Sequence, residues 1–106
     1  MEATLITCFE VPDGREEEFL DAWRPLIAHM STQPGYIDHA LHFSAPDEAR
    51  YRFINVAHWT DAESLRAALH SDKLGQLLAR PEMSPFPSLA SVFDVCHRGW
   101  STIANP

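Results

Sequence analysis

Apolar and polar positions follow two different periods along this 106-residue chain, and the changes of period mark out its elements. Leu5-Ile6-Thr7-Cys8-Phe9-Glu10-Val11 is β-branched and aromatic and predicts a buried strand. Pro12-Asp13-Gly14 is a turn signal that stops it. From Arg15 to about Met30 the period lengthens. Phe19, Trp23, Leu26, Ile27 and Met30 recur at helical spacings and predict a helix with one apolar stripe. Asp13 is its expected N-cap, and Glu16, Glu17 and Glu18 suit the positive end of the helix dipole. Pro25 falls inside this helix, removes one backbone hydrogen bond and is expected to bend the axis.

Gln33-Pro34-Gly35 ends that segment, and Tyr36 to Phe43 alternates as a second strand. Ser44-Ala45-Pro46-Asp47-Glu48 is a turn, and Arg50 to Trp59 is the third strand. Its faces separate into Arg50, Arg52, Ile54, Val56 and His58 on one side and Tyr51, Phe53, Asn55, Ala57 and Trp59 on the other. Thr60-Asp61-Ala62-Glu63 reads as a capping box before a helix striped by Leu65, Ala68 and Leu69. That helix is expected to break or shift around His70-Ser71-Asp72, after which Leu74, Leu77 and Leu78 continue the stripe. Pro81 to Pro87 is a loop, Leu89 to His97 the fourth strand, and Arg98 to Pro106 a tail bearing Trp100 and Ile103.

The order β-α-β-β-α-β predicts an α+β, ferredoxin-like fold: one domain over residues 1–106, with helices on one face of a four-stranded antiparallel sheet. The opposite face then carries Ile6, Cys8, Ile54 and Val56 and needs a cover. A second copy of the chain is the simplest one, with tail residues 98–106 expected to contact it.

Composition adds exclusions. Hydrophobic residues make up 45% and charged ones 22%, as in an ordinary globular protein. Asp and Glu number 15 against 8 Lys and Arg, and the resulting net charge of −7 disfavours nucleic acid or anionic lipid as a partner. No apolar run is long enough for a membrane span, and Met1-Glu2-Ala3-Thr4-Leu5 lacks the character of a signal peptide. With only Cys8 and Cys96, both expected as free thiols, a cytoplasmic location is expected. The histidines show no metal-site spacing, so no metal is expected.

Several stretches in this order resemble the antibiotic biosynthesis monooxygenase family of dimeric α/β-barrel proteins. They are the run from Leu5 to Phe19, Gln33-Pro34-Gly35-Tyr36, Asn55-Val56-Ala57-His58-Trp59-Thr60 and Asp61-Ala62-Glu63-Ser64-Leu65. The resemblance covers residues 4–97. It implies a homodimer whose sheets pack face to face, with a pocket between each sheet and its own helices. Family members include oxygenases that convert anthrone-type polyketides to quinones with O2 and no flavin, haem or metal. Two of their site positions are matched by Trp59 and Asn55. A first-strand Asn used by some members is Thr7 here, which removes a carboxamide able to polarise a carbonyl. Haem-degrading members carry a Trp and a His on the second helix, where this chain has Ala68 and Leu78, so no haem triad and no cofactor is expected.

Trp59 offers an indole N–H beside a flat apolar surface, suited to an aromatic ligand, or else it fills the core. Asn55, in a buried strand, needs a hydrogen-bond partner, either backbone or ligand. Phe9, Trp23, Tyr51 and Phe53 are expected to contact substrate. His39 and His42 point to opposite faces, and His42 is the favoured general base, while His58 is expected at the dimer interface. The leading reading is a cofactor-independent monooxygenase acting on an anthrone-like or other phenolic molecule. A polyketide cyclase and a non-catalytic dimeric small-molecule binder stand as alternatives, because fold alone does not decide function.

Overall fold

The computed structural model describes residues 1–45 and 47–103. Four strands form one antiparallel sheet in the order β2-β3-β1-β4. They are β1 (Ala3–Phe9), β2 (Tyr36–Phe43), β3 (Phe53–Trp59) and β4 (Ser88–Phe93). Helices α1 (Glu16–Met30), α2 (Ala62–Leu69) and α3 (Asp72–Leu78) follow β1 and β3, and a 3-10 turn spans Pro81–Met83. This is the ferredoxin-like α+β arrangement expected from the element order. Among the described residues no helix is long and apolar enough to cross a membrane.

The core lies between sheet and helices. Phe19 of α1 is fully buried and packs its ring 4.8 Å from Phe9, 4.8 Å from Phe53 and 5.4 Å from Phe86. Met83 and Phe86 are buried although they come from a proline-rich segment that reads as a surface loop. Pro25 is accommodated inside α1, and the Arg80 guanidinium donates to the Ala22 carbonyl at 2.6 Å in the turn that the proline disturbs.

Register sets the strand ends. β1 runs Ala3–Phe9 instead of Leu5–Val11, because Ala3 pairs with Trp59 and Phe9 with Phe53. β3 therefore begins at Phe53: Arg50, Tyr51 and Arg52 lie outside it, having no partners in β1. β4 ends at Phe93, opposite Thr4, one residue short of the start of β1 at Ala3. Cys96 and His97 thus sit in an exposed segment beyond β4 and not on the predicted strand. Pro46 of the predicted turn and residues 104–106 of the predicted tail lie outside the described residues.

Two caps differ from expectation. α1 starts at an Arg15 N-cap with no side-chain cap; Asp13 lies too early in the turn to serve. At α2 the cap is Asp61, whose carboxylate accepts from the Ser64 N–H at 2.7 Å, in place of the Thr60–Glu63 box. That backbone hydrogen bond holds the Asp61 carboxyl below its ordinary pKa. The predicted break occurs at His70, and Ser71 caps α3.

Candidate active site

The helix-facing side of the sheet is built in rungs. Trp59 pairs with Tyr36 and Ala3, Ala57 with His39 and Leu5, Asn55 with Leu41 and Thr7, and Phe53 with Phe43 and Phe9. Above the Trp59, Ala57 and Asn55 rungs the helices stand off and leave a cavity of about 120 Å³. α1 contributes Trp23 and Met30 to its roof, and α3 contributes Leu74 and Leu78. Exposed Leu78, Ser88 and Ala90 form its mouth. An apolar cavity of roughly 150 Å³ is enough for benzene, so a space of this order, open on one side, is of the size of about one aromatic ring.

Six side chains with a polar group line this otherwise apolar space: Thr7, Trp23, Tyr36, Asn55, Trp59 and Ser88. Two are buried without a hydrogen-bond partner among the described residues. Trp59 is fully buried and its Nε1–H donates to nothing. Asn55 is 5% exposed and its Oδ1 accepts nothing. An unmade buried hydrogen bond costs about 1–3 kcal/mol, so two on one wall are a concentrated deficit. They lie four residues apart on β3, about 13 Å between Cα atoms, too far for one small group to satisfy both. A ligand that satisfies them carries an acceptor at the Trp59 end and a donor at the Asn55 end.

Of the residues the sequence analysis named, Trp59, Asn55, Thr7, Phe9 and Trp23 line the cavity together. Phe53 lies in the neighbouring aromatic cluster, and its ring is taken up by Phe19. Tyr51 is not brought in: it precedes β3 and borders a surface recess beside Glu10, Arg50 and Leu89. His42 is not brought in either. It pairs with Ile54, whose side chain belongs to the sheet face turned away from the helices. His39 pairs with Ala57 and takes the helix side, its ring 5.9 Å from that of Trp23.

Sequence reasoning missed Tyr36 as a lining residue. Its ring meets Trp59 edge-on at 5.3 Å, and its hydroxyl is hydrogen-bonded to His39 Nδ1. Burial, and after it the charge of Asp38, raise the Tyr36 phenol above its ordinary pKa. Among the described residues no three His, Cys, Asp or Glu side chains group so as to hold a metal ion.

Residues 3–80 match the family described as antibiotic biosynthesis monooxygenase. No curated protein matches the sequence. Among solved structures, a protein of Shewanella loihica PV-4 provisionally assigned as a monooxygenase is 29% identical, with a TM-score of 0.78 over 92% of this chain and 96% of that one. SnoaB, a cofactor-independent oxygenase of Streptomyces nogalater, is 23% identical, with a TM-score of 0.74 over 92% of this chain and 95% of its own. A dimeric ferredoxin-like protein of unknown function from Thermobifida fusca YX is 20% identical, with a TM-score of 0.65 over 90% and 92%. At such identities the last two speak for the fold alone.

Proposed function

The chain belongs to the antibiotic biosynthesis monooxygenase family, and from that premise we propose that it is a cofactor-independent monooxygenase of an anthrone-like or related phenolic molecule. The observation that carries the reading is the pair of unpartnered polar atoms, Asn55 Oδ1 and Trp59 Nε1, buried in an apolar cavity. Ground-state O2 is a triplet and reacts slowly with closed-shell molecules. An electron-rich phenolate or enolate passes it one electron directly, so the protein must supply a dry pocket, stabilisation of the oxyanion and a route for a proton. The Trp59 N–H serves as donor to the oxyanion, and Asn55, with Thr7 beside it on the same rung, holds the far pole of the ligand. The cavity takes the reacting ring, and further rings of a fused ligand extend through the mouth at Leu78, Ser88 and Ala90.

The test is oxygen uptake by the purified protein with 1,8-dihydroxyanthrone. Stoichiometric O2 consumption with formation of the quinone is expected, from protein with no absorbance beyond the aromatic band. Ring closure of a polyketide without O2 uptake would point to a cyclase, and tight binding without turnover to a binding protein. A haem or flavin band that survives dialysis would overturn the cofactor-free reading.

The same reading includes a homodimer. Family members are commonly dimeric, and the sheet face opposite the helices carries Ile6, Ile54 and Val56 with Leu89 and Phe93 beside them. Beyond β4 the chain runs on through exposed Val95, Trp100 and Ile103. The radius of gyration, 15.3 Å, exceeds the roughly 13 Å of a compact domain of this length, as a projecting arm requires. Val56→Asp puts one uncompensated carboxylate per copy into the centre of that face and is expected to convert dimer to monomer at micromolar concentration. Light scattering that finds the unsubstituted chain monomeric at that concentration refutes the dimer.

A further inference from the structure

We propose that Tyr36 and His39 form a proton outlet, taking the proton of a phenolic or enolic hydroxyl bound at Trp59 and delivering it to solvent. The inference rests on the oxygenase reading, for which it supplies the deprotonation that must precede reaction with O2.

Tyr36 lines the cavity and touches Trp59, while His39 is exposed. Residues three apart on a regular strand face opposite ways. A register shift between Tyr36 and Asp38 cancels that alternation, so Tyr36 and His39 both lie on the helix side and the phenol reaches Nδ1 of the imidazole. Packing against Trp59 accounts for the Tyr36 ring. It does not account for its hydroxyl being joined to a solvent-facing imidazole, whose ring is itself held against the edge of Trp23.

The transfer balances without any redox partner. With His39 protonated on Nε2, its Nδ1 accepts from the Tyr36 hydroxyl. The substrate proton moves to Tyr36 Oη as the Tyr36 proton moves to Nδ1. What results is a substrate oxyanion facing the Trp59 N–H, a neutral tyrosine and an imidazolium that gives up its Nε2 proton to water. Because burial and the Asp38 charge raise the Tyr36 pKa, the phenol stays protonated at neutral pH and passes a proton on instead of holding a negative charge. Trp23 of α1 and Ala57 and Trp59 of β3 face the pair from neighbouring elements, and none of them titrates near neutrality. On its own strand Asp38 turns to the other face, where its carboxylate meets His58 Nδ1 at 2.6 Å.

The experiment uses the full chain and 4-nitrophenol, a one-ring phenol whose anion absorbs in the visible. The bound probe is titrated spectroscopically in the unsubstituted protein, in His39→Gln and in Tyr36→Phe. With His39 as the proton's destination, an imidazolium stabilises the bound phenolate, so the unsubstituted protein ionises the probe at the lowest pH. In both variants the midpoint is expected to rise by about one pH unit or more, and in His39→Gln, whose side chain lies outside the cavity lining, binding of the un-ionised probe at low pH is expected to change less than about twofold. Added imidazole is expected to restore the lower midpoint in His39→Gln, since that side chain stands at the surface. A midpoint unchanged by His39→Gln overturns the outlet and leaves the oxygenase reading standing. Failure of the unsubstituted protein to bind the probe at all removes the phenol pocket, and both readings fall together.

Discussion

Trp59→Phe is expected to lower turnover per folded molecule by about tenfold to a thousandfold, the upper part of that range being the roughly hundredfold to thousandfold loss that follows removal of one donor to a developing oxyanion. Its effect on stability should be small. The swap shrinks a fully buried side chain and opens a void, which costs on the order of 1 kcal/mol. It also deletes an N–H that has no partner in the protein, which returns part of that loss. A residue that merely filled the core would behave the other way, losing stability with turnover intact. Asn55→Ala is an independent arm. Its Oδ1 accepts nothing in the protein, so the folded state should lose little, whereas ligand affinity should fall by about tenfold or more. Thermal melts and steady-state oxygen uptake on both variants separate the outcomes. Unsubstituted rates in both would remove these residues from the site.

Gly35→Ala is expected to be the most destabilising single methyl that can be added near the site, at about 2–5 kcal/mol. Two costs combine. Gly35 has φ +89°, in the region that L side chains rarely adopt. A Cβ there would also stand 2.5 Å from Ser64 Cβ, 2.8 Å from Ser64 Oγ and 2.9 Å from Thr60 Oγ1. Neither neighbour yields easily, because the Ser64 N–H is held by the Asp61 cap and the Thr60 N–H donates to the Gly35 carbonyl itself at 2.7 Å. Gly14 provides the control. It has φ +86° with open space around its missing Cβ, so Gly14→Ala should cost only the conformational part, about 1–2 kcal/mol. Denaturant midpoints on the two variants test this, and equal losses would show that the contact with α2 carries no energy. Since Gly35 directly precedes Tyr36, its variant should also weaken binding of ligands at the Trp59 end of the cavity.

Much of the fold is legible in the pattern of residues. The two periods locate four strands and the helices between them, and the break at His70-Ser71-Asp72 follows from a polar run interrupting an apolar stripe. Strand ends are less legible, because they are set by partners. Tyr51 sits in perfect alternation with Phe53, Asn55, Ala57 and Trp59, yet it lies outside β3 because β1 runs out of rungs at Phe9. Met83 and Phe86 are hidden for a similar reason. A stretch with Pro81, Pro85 and Pro87 reads as surface, but it folds two side chains back against Phe19 and its neighbours.

The histidines show most clearly where local pattern ends. Alternation assigns His39 and His42 to opposite faces but does not say which face the helices cover. The register shift after Tyr36 then breaks the parity that would carry the answer along the strand, and it seats Tyr36 and His39 together. What the sequence determined by itself is the alternation that puts Asn55 and Trp59 on one face of β3, since side-chain direction in a strand is a property of the backbone repeat. What only the tertiary structure decided is that this face bounds a cavity in which neither side chain finds a partner. That depends on how far α1 and α3 stand off from the sheet, a distance set by side chains remote in sequence and by no local rule.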